Sequence, residues 1–535
     1  LGDPAQWPTW PPAAQSEPSA TRPCPAGMAL RAARAAAVLV ATFAAAGAEA
    51  FEYGARYSCG VCKELQQGLP CSRFGACDAH VTSEAEAGCS SVCPSAPFGL
   101  ASPAAASGID WLELRVSKAF GTKDYNLVRI SAITSSAAAP EPGLFDYSSQ
   151  FVHRWNQFYL HTALKELTPG TDMHLSIAGQ DVVLRLPKQG AGVAGLLLAD
   201  PCVNSATGIM WIGCQYGNEF STITNTPLLI NTFANGTDTD FWSISGDNFY
   251  DRSGDITADV FSRISLEAKS KIFNAVPGNH DYWVLGDPIV GSTADQCGNG
   301  FMQWYGQDIL AAANVSPGSA TAPFDFSIAP SDEATLTTDA HWSCTKPAQS
   351  NFLWYNQVGN LGMVGQTGAY TLAETKPFMR EACSWAAAQP GLEVLLLFGH
   401  WDVRGLGARS KMAMPQWYKE MAALPGCSAF DQRGMLKFVM GHTHCNDPHP
   451  HGKVGEGFRV AGFGMEGCGN YGMPIVDTTE DRVRFWYFDT SSSALLDEVL
   501  SCVSRGGWRS CTSLATLWLD QPITKAVLEE QQIVI

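Results

Sequence analysis

Beyond residue 190, five short apolar runs are each followed within three residues by side chains that commonly bind metal ions. These side chains are carboxylates, imidazoles and an asparagine amide. Two cations about 3.5 to 4 Å apart need a shared carboxylate between them and nitrogen and oxygen ligands on either side. The pattern therefore predicts a two-metal centre, and Asp247 suits the shared position. The runs and the residues after them are 194–199 with Asp200, 241–245 with Gly246-Asp247-Asn248-Phe249-Tyr250, 272–276 with Pro277-Gly278-Asn279-His280-Asp281, 394–398 with Gly399-His400, and 436–440 with Gly441-His442-Thr443-His444.

Each run has the composition of a β-strand that is buried on both faces. The end of such a strand holds a metal-binding side chain more rigidly than a free loop does. Helical stretches, such as residues 257–269, lie between some of the runs. Glycines beside the metal-binding residues let the backbone approach the ions closely. The sequence therefore predicts an α/β fold in which strand ends deliver the site.

The order of these motifs resembles the calcineurin-like metallophosphoesterase pattern of an Asp motif, GDxx, GNH[DE], a lone histidine and GHxH. The likeness covers about residues 190 to 490. Within that superfamily the chain is most similar to the purple acid phosphatases, which place a tyrosine ligand for ferric iron at the position of Tyr250. The resemblance implies a metallophosphoesterase-type four-layer α/β sandwich, with two mixed β-sheets flanked by helices.

The resemblance also implies two metal ions as cofactors, with Fe(III) at the Tyr250 site and Fe, Zn or Mn at the second. It implies hydrolysis of a small phosphomonoester by attack of a metal-activated hydroxide. His280 would donate a proton to the leaving group, and the adjacent Asp281 would orient it. The implied iron ligands are Asp200, Asp247, Tyr250 and His444, and the implied ligands of the second metal are Asp247, Asn279, His400 and His442.

The first motif departs from the family, because Asp200-Pro201-Cys202 stands where most members have D-x-H. Tyr250 can supply the missing ligand. An alternative alignment puts Cys214 in the place of the aspartate, whereas Asp200 ends the cleaner apolar run and leaves Cys202 and Cys214 free to pair. Two further functions therefore remain open. One is phosphodiester hydrolysis of the sphingomyelinase kind, and the other is a catalytically inactive metal-binding or scaffold protein.

Charge and hydropathy restrict the partners. The 34 Lys and Arg residues against 51 Asp and Glu residues give a formal net charge of -17, which repels polyphosphate backbones and excludes nucleic acid as an expected partner. A small phosphorylated substrate drawn to metal cations is the expected ligand. Outside the N-terminal segment, no apolar run approaches the ~20 residues that cross a bilayer, so we expect no transmembrane segment.

The N-terminal segment has the pattern of a secretory signal. Met28-Ala-Leu-Arg-Ala-Ala-Arg opens it with basic residues, an apolar stretch follows, and Ala48-Glu49-Ala50 is an A-x-A cleavage signal. We therefore expect a secreted or lumenal protein, either extracellular or in a vacuole or lysosome. Without Cys24, an even number of the 17 cysteines remains, which predicts disulfides, and the sequons at Asn235 and Asn314 predict a glycoprotein.

The expected domain organisation has five regions. They are a leader and signal peptide at 1–50, a Cys-rich disulfide-stapled segment at 51–97, a small β-rich domain at 109–190, the metallophosphoesterase catalytic domain at 191–490 and a C-terminal tail at 491–535. Alternating apolar positions on either side of Ala178-Gly179-Gln180-Asp181 predict a hairpin in the β-rich region. In the tail, Cys502 and Cys511 are expected to form one local bridge.

Overall fold

The structure, a computed structural model, describes residues 112–118, 124–134, 136, 138–145, 147–153, 156–201, 222–248, 260–278, 281, 353–368, 372–401, 413–448, 457–461 and 471–524. Its strands are β1 Leu112–Lys118, β2 Leu127–Thr134, β3 Tyr147–His153, β4 Asn156–Glu166, β5 Asp172–Ile177, β6 Gln180–Arg185, β7 Ala194–Leu198, β8 Phe241–Ser245, β9 Ile272–Val276, β10 Trp354–Val358, β11 Leu361–Gly365, β12 Val394–Gly399, β13 Leu436–Met440, β14 Asp447–Pro448, β15 Gly457–Arg459, β16 Gly472–Asp477, β17 Arg482–Asp489 and β18 Ala515–Pro522. The helices are α1 Thr222–Ala234, α2 Leu266–Lys269, α3 Leu372–Ala388, α4 Met414–Ala422, α5 Cys427–Gln432, α6 Ser493–Gly506 and a 3-10 helix Trp508–Leu514.

The five apolar runs are strands, as predicted. They form β7, β8, β9, β12 and β13, and every residue of these strands is buried. The helical expectation for 257–269 is confirmed for its described part, in which residues 260–263 and α2 are helical. The helix is interrupted before α2 because the Ser265 side chain accepts from the Ala268 N–H and caps a new N-terminus.

The strands form two mixed sheets and one separate hairpin. The ten-stranded sheet has the order β18-β17-β16-β7-β8-β9-β1-β2-β4-β3, and β7, β8 and β9 are parallel neighbours at its centre. The six-stranded sheet has the order β10-β11-β12-β13-β15-β14, with β11, β12 and β13 parallel. The prediction of an α/β fold with two mixed sheets is confirmed.

The two sheets pack face to face. The Trp354 indole of β10 donates to the carbonyl of Ala275 on β9 at 3.0 Å, and Phe458 of β15 stacks on Phe485 of β17 with ring centroids 3.7 Å apart. On the opposite face of the large sheet, Trp242 donates to the carbonyl of Ala268 in α2. Helices α1 and α6 also pack on the large sheet, and α4 and α5 pack on the small one. These contacts give the expected layers of helix, sheet, sheet and helix.

The region 109–190 contains strands β1 to β6. Its strands β1 to β4 extend the large sheet, since β1 pairs in parallel with β9 at Val116 and Ile272. The predicted hairpin is confirmed as β5 and β6. Ala178 and Gly179, which join them, have φ values of 53° and 73°, as a two-residue turn of type I′ requires.

The C-terminal region is also part of the sheet. The predicted Cys502–Cys511 bridge is present, and β18 pairs with β17 along the sheet edge. A second disulfide, Cys383–Cys427, joins α3 to α5. Within the residues that the structure describes, no helix is long and apolar enough to cross a membrane. The leader, the signal peptide and the Cys-rich segment lie outside the described residues.

Candidate metal centre

Four of the predicted site residues lie just after parallel strands of the two sheets. Asp200 and Asp247 follow β7 and β8 in the large sheet, and His400 and His442 follow β12 and β13 in the small sheet. Because parallel strands end at the same edge, the neighbours in each sheet are brought side by side. Hydrogen bonds also join the two sheets at this edge: the His442 backbone N–H donates to Asp200 Oδ2 at 2.7 Å, and the His400 ring contacts the carbonyl of Ser245 at 3.0 Å.

Three of the predicted ligands of the second metal form one cluster. Single ligand atoms of Asp247, His400 and His442 all lie within 4.8 Å of one another. His400 Nε2 is 3.2 Å from Asp247 Oδ2 and 3.2 Å from His442 Nδ1. Two atoms that each lie about 2.1 Å from one ion, at an angle near 90 to 110°, are about 3.0 to 3.4 Å apart. The cluster thus has the spacing of ligands that share an ion.

A second pair of ligand atoms lies beside this cluster. His444 Nε2 is 3.1 Å from Asp200 Oδ1, and both residues belong to the predicted iron set. The separation between Asp200 Oδ1 and His400 Nε2 is 4.0 Å, so the pair and the cluster adjoin. Asp200 and Asp247 are fully buried, whereas His444 is partly accessible with 14% of its side chain exposed. His444 is therefore the more accessible member of this pair.

The contact between the His400 ring and Ser245 fixes the ring's orientation. A carbonyl oxygen can only accept, so Nδ1 of His400 carries the proton and donates to it at 3.0 Å. In the neutral imidazole, Nε2, which faces Asp247, is then the nitrogen that offers a lone pair. A hydrogen bond of this kind to the other ring nitrogen is the usual support for a metal-binding histidine.

The backbone at the site is strained. Among the described residues, Asp200, Asp247, His442 and His444 have φ values of 45°, 52°, 68° and 54°. Non-glycine residues rarely adopt this left-handed region, and such strain persists where surrounding structure holds it, often at functional sites. Nothing in the strand pattern predicts this conformation. All four of these residues are predicted metal ligands.

Glycines beside the ligands let the backbone come close, as predicted. A Cβ on Gly278 would lie 2.2 Å from Asp247 Oδ1, and a Cβ on Gly441 would lie 2.5 Å from Asp200 Oδ2. Gly246 has a φ of 87°, and a Cβ at this position would lie 2.7 Å from the His400 ring. Any side chain at these positions would fill the space that the carboxylates and the imidazole occupy.

The buried charges favour cations. Burial lowers the pKa of His400, but the carboxylates of Asp247 and Asp200 outweigh burial and raise this pKa to about 10. Burial raises the pKa of Asp200, yet His400 and His444 bring it below its ordinary value of 3.8. For Asp281, burial and the neighbouring Asp247 charge raise the pKa to about 7. The buried carboxylates thus stabilise positive charge, which two metal ions could supply in place of the protons on the histidines. The donor set therefore fits the implied cofactor.

Other predicted residues lie outside the described residues. These are Tyr250, Asn279 and His280, together with Cys202 and Cys214 of the first-motif alternatives. Their roles stay predictions. Asn248 was missed by sequence reasoning although it stands beside Asp247: it is fully buried, and its side-chain amide donates to the carbonyl of Val276 at 3.2 Å and to Asp281 at 2.9 Å.

No protein-family model matches the chain, and no curated protein matches its sequence. Among solved structures, the chain is similar to a purple acid phosphatase isolated from yellow lupin (Lupinus luteus) seeds, with a TM-score of 0.41 and 13% identity over 71% of this chain and 72% of that one. It is also similar to the structure of PhoD, with a TM-score of 0.35 and 9% identity over 71% and 87% of the two chains. For a dimetal phosphatase from Danio rerio, the TM-score is 0.28 and the identity 11% over 56% and 96%. The expected likeness to such structures is thereby confirmed, but at scores this low it carries no argument about activity.

Proposed function

We propose that this protein is a dinuclear-metal phosphoesterase that hydrolyses phosphomonoesters. One observation carries the proposal: the ligand atoms of Asp247, His400 and His442 meet within 4.8 Å at the ends of strands from two facing sheets. Asp200 Oδ1 and His444 Nε2 form a second pair 3.1 Å apart beside this cluster. A buried set of carboxylates and imidazoles in this arrangement suits two ions better than one.

In this proposal Asp247 is the shared ligand. Asp200 and His444 would hold one ion with the predicted phenolate of Tyr250, and His400 and His442 would hold the other with the predicted amide of Asn279. When bound, the two ions polarise the phosphoryl oxygens and lower the pKa of the attacking water. His280 donates a proton to the leaving alkoxide.

Iron at the Tyr250 site is part of the proposal. A phenolate bound to ferric iron absorbs visible light through charge transfer, so the purified protein should be coloured. Replacement of Tyr250 by Phe should remove the colour without unfolding the protein. A colourless wild-type protein that contains only zinc or manganese would refute the iron assignment and leave the phosphoesterase assignment intact.

The substrate class is tested by comparing two chromogenic compounds. Turnover of an aryl phosphomonoester should exceed turnover of the matching aryl diester, and a chelator should abolish both. The His400→Ala variant should lose this activity, while His174→Ala should keep it because His174 lies on β5 in the separate hairpin. A diester preference would favour the phosphodiesterase alternative. A metal-loaded protein with no turnover of either compound would favour an inactive scaffold.

The proposed location is secreted or lumenal. The disulfides Cys383–Cys427 and Cys502–Cys511 support it, because such bridges persist in oxidising compartments. The sequon residue Asn235 is exposed at the end of α1, where a glycan could be attached. Mass spectrometry of secreted protein before and after deglycosylation would test both features.

A further inference from the structure

Asp281 has contacts that differ from the role the motif implies for it. The motif assigns it the orientation of His280, whereas three of the four described donors to its carboxylate belong to the loop that carries Asp247. Asp281 Oδ2 accepts from the Asp247 backbone N–H at 2.8 Å, and Oδ1 accepts from the Asn248 backbone N–H at 2.7 Å. The Asn248 side-chain amide donates to Oδ2 at 2.9 Å, and the backbone N–H of Gly278 also donates to Oδ2. The residue is 1% exposed.

These four donors come from two neighbouring loops. Asp247 and Asn248 follow β8, and Gly278 follows β9. The Asn248 side chain adds a link to the carbonyl of Val276, the last residue of β9. A single buried carboxylate therefore ties together the ends of two strands whose loops carry the shared ligand and the predicted ligand Asn279.

The backbone of Asp247 needs such support. Its φ of 52° is unfavourable for a residue with a side chain, and its carboxylate must stay 3.2 Å from His400 Nε2. A strained conformation persists only where neighbouring groups hold it. A carboxylate is well suited to hold several N–H donors, because both of its oxygens only accept.

We propose that Asp281 is a positioning residue of the metal centre, which fixes the backbone of Asp247 so that its carboxylate lies between the two ligand sets. This inference rests on the proposed function for the identity of the site. An asparagine at position 281 would turn an NH₂ group towards at least one N–H donor, whichever way its amide is oriented. The loop of Asp247 should then relax, and metal binding should weaken.

Zinc titration of metal-free protein by calorimetry tests the proposal without any substrate. Asp281→Asn should weaken zinc binding ~10- to 100-fold, as loss of a residue that supports a metal ligand usually does. The matched control is Asp477→Asn. Asp477 is also 1% exposed and accepts from Arg509 at 2.9 Å, but it pairs with Ala194 at the opposite end of β7 from Asp200. Asp477→Asn should lower stability and leave zinc affinity unchanged.

Hydrogen exchange separates this inference from the proposed function. In metal-free protein, the peptide 241–248 should exchange faster in Asp281→Asn than in wild type or in Asp477→Asn. If the wild type binds none of zinc, iron and manganese but this difference appears, the proposed function fails and the role of Asp281 in fixing the Asp247 backbone stands. If Asp281→Asn keeps wild-type zinc affinity and wild-type exchange, the positioning role is overturned.

A milder variant covers the case in which Asp281→Asn does not fold. Asn248→Ala removes only the side-chain links to Asp281 and Val276 and leaves both backbone donors in place. It should weaken zinc binding by a smaller factor than the range given above. Unchanged zinc affinity and unchanged exchange of the peptide 241–248 in this variant would contradict the proposal.

Discussion

A single methyl group at Gly278 should weaken the metal centre without removing any ligand. The Cβ of an alanine there would lie 2.2 Å from Asp247 Oδ1, 2.5 Å from the Asp247 backbone nitrogen and 2.8 Å from Cδ2 of His400. Ordinary contacts of a Cβ begin at 3.4 Å, so the Asp247 carboxylate has to move by roughly 1 Å. Both groups that the methyl would displace belong to the proposed ligand cluster.

The magnitude follows from two separate costs. Overpacking of a buried site costs about 1 to 3 kcal/mol of folding stability. A change in the residues that support a metal ligand lowers metal affinity about 10- to 100-fold. Urea unfolding of metal-free protein measures the first cost, and zinc titration against a competing chelator measures the second. We expect Gly278→Ala to show both.

Gly195→Ala is the matched control. Its Cβ would lie 2.1 Å from the Phe241 ring, an equally severe overlap, but Gly195 is the second residue of β7 and distant along the strand from Asp200. We expect it to lose stability of the same order, about 1 to 3 kcal/mol, and to bind zinc as the wild type does. Zinc affinity that is unchanged in Gly278→Ala, or reduced equally in both variants, would refute the account of the ligand loop.

Three further predictions concern single side chains. His280→Ala should lower kcat ~10²- to 10⁴-fold for phosphomonoesters with poor leaving groups and much less for an activated aryl phosphate, and an equal loss on both would mean that His280 is structural. Asp200→Asn should strip metal from folded protein while Cys214→Ser should not, and the reverse result in metal analysis would favour the alternative first motif. His161 is fully buried, and burial lowers its pKa below the ordinary 6.5, so the folded state binds this proton less readily than the unfolded state. The contribution of neutral His161 to folding stability is therefore present above pH 6.5 and falls as the pH drops below that value. His161→Gln can keep the hydrogen bond to Thr134, so it should reduce the fall in the urea midpoint between pH 7 and pH 5. An unchanged fall in the midpoint would contradict this.

The strand ends could be predicted because apolar runs and ligand types are local features of the sequence. Each of the five runs is short and mostly apolar, has a candidate ligand within the next three residues, and is a strand. The left-handed backbone of Asp200, Asp247, His442 and His444 could not be predicted, because hydrogen bonds between distant loops hold it. The bond from His442 to Asp200 spans 242 residues of sequence.

In the region before residue 190, the burial of polar side chains could not be predicted from the sequence. Leu112, Leu114 and Val116 alternate with Glu113 and Arg115, a pattern typical of a strand with one buried side and one solvent-facing side. In the structure Glu113 and Arg115 on that side are also buried, because Lys269 of α2 pairs with Glu113 at 2.8 Å and the Arg115 guanidinium lies 3.5 Å from the Phe261 ring centre. Helical residues more than 140 positions later in the sequence cover this face. The strand is therefore buried on both faces within the large sheet.

Anomalous X-ray diffraction from crystals of the metal-loaded protein tests the central claim most directly. Two peaks about 3.5 to 4 Å apart are predicted, with the Asp247 carboxylate between them. One peak should lie within bonding distance of His400 Nε2 and His442 Nδ1, and the other within bonding distance of Asp200 Oδ1 and His444 Nε2. A single peak, or two peaks that do not share Asp247, would contradict a dinuclear centre at this site.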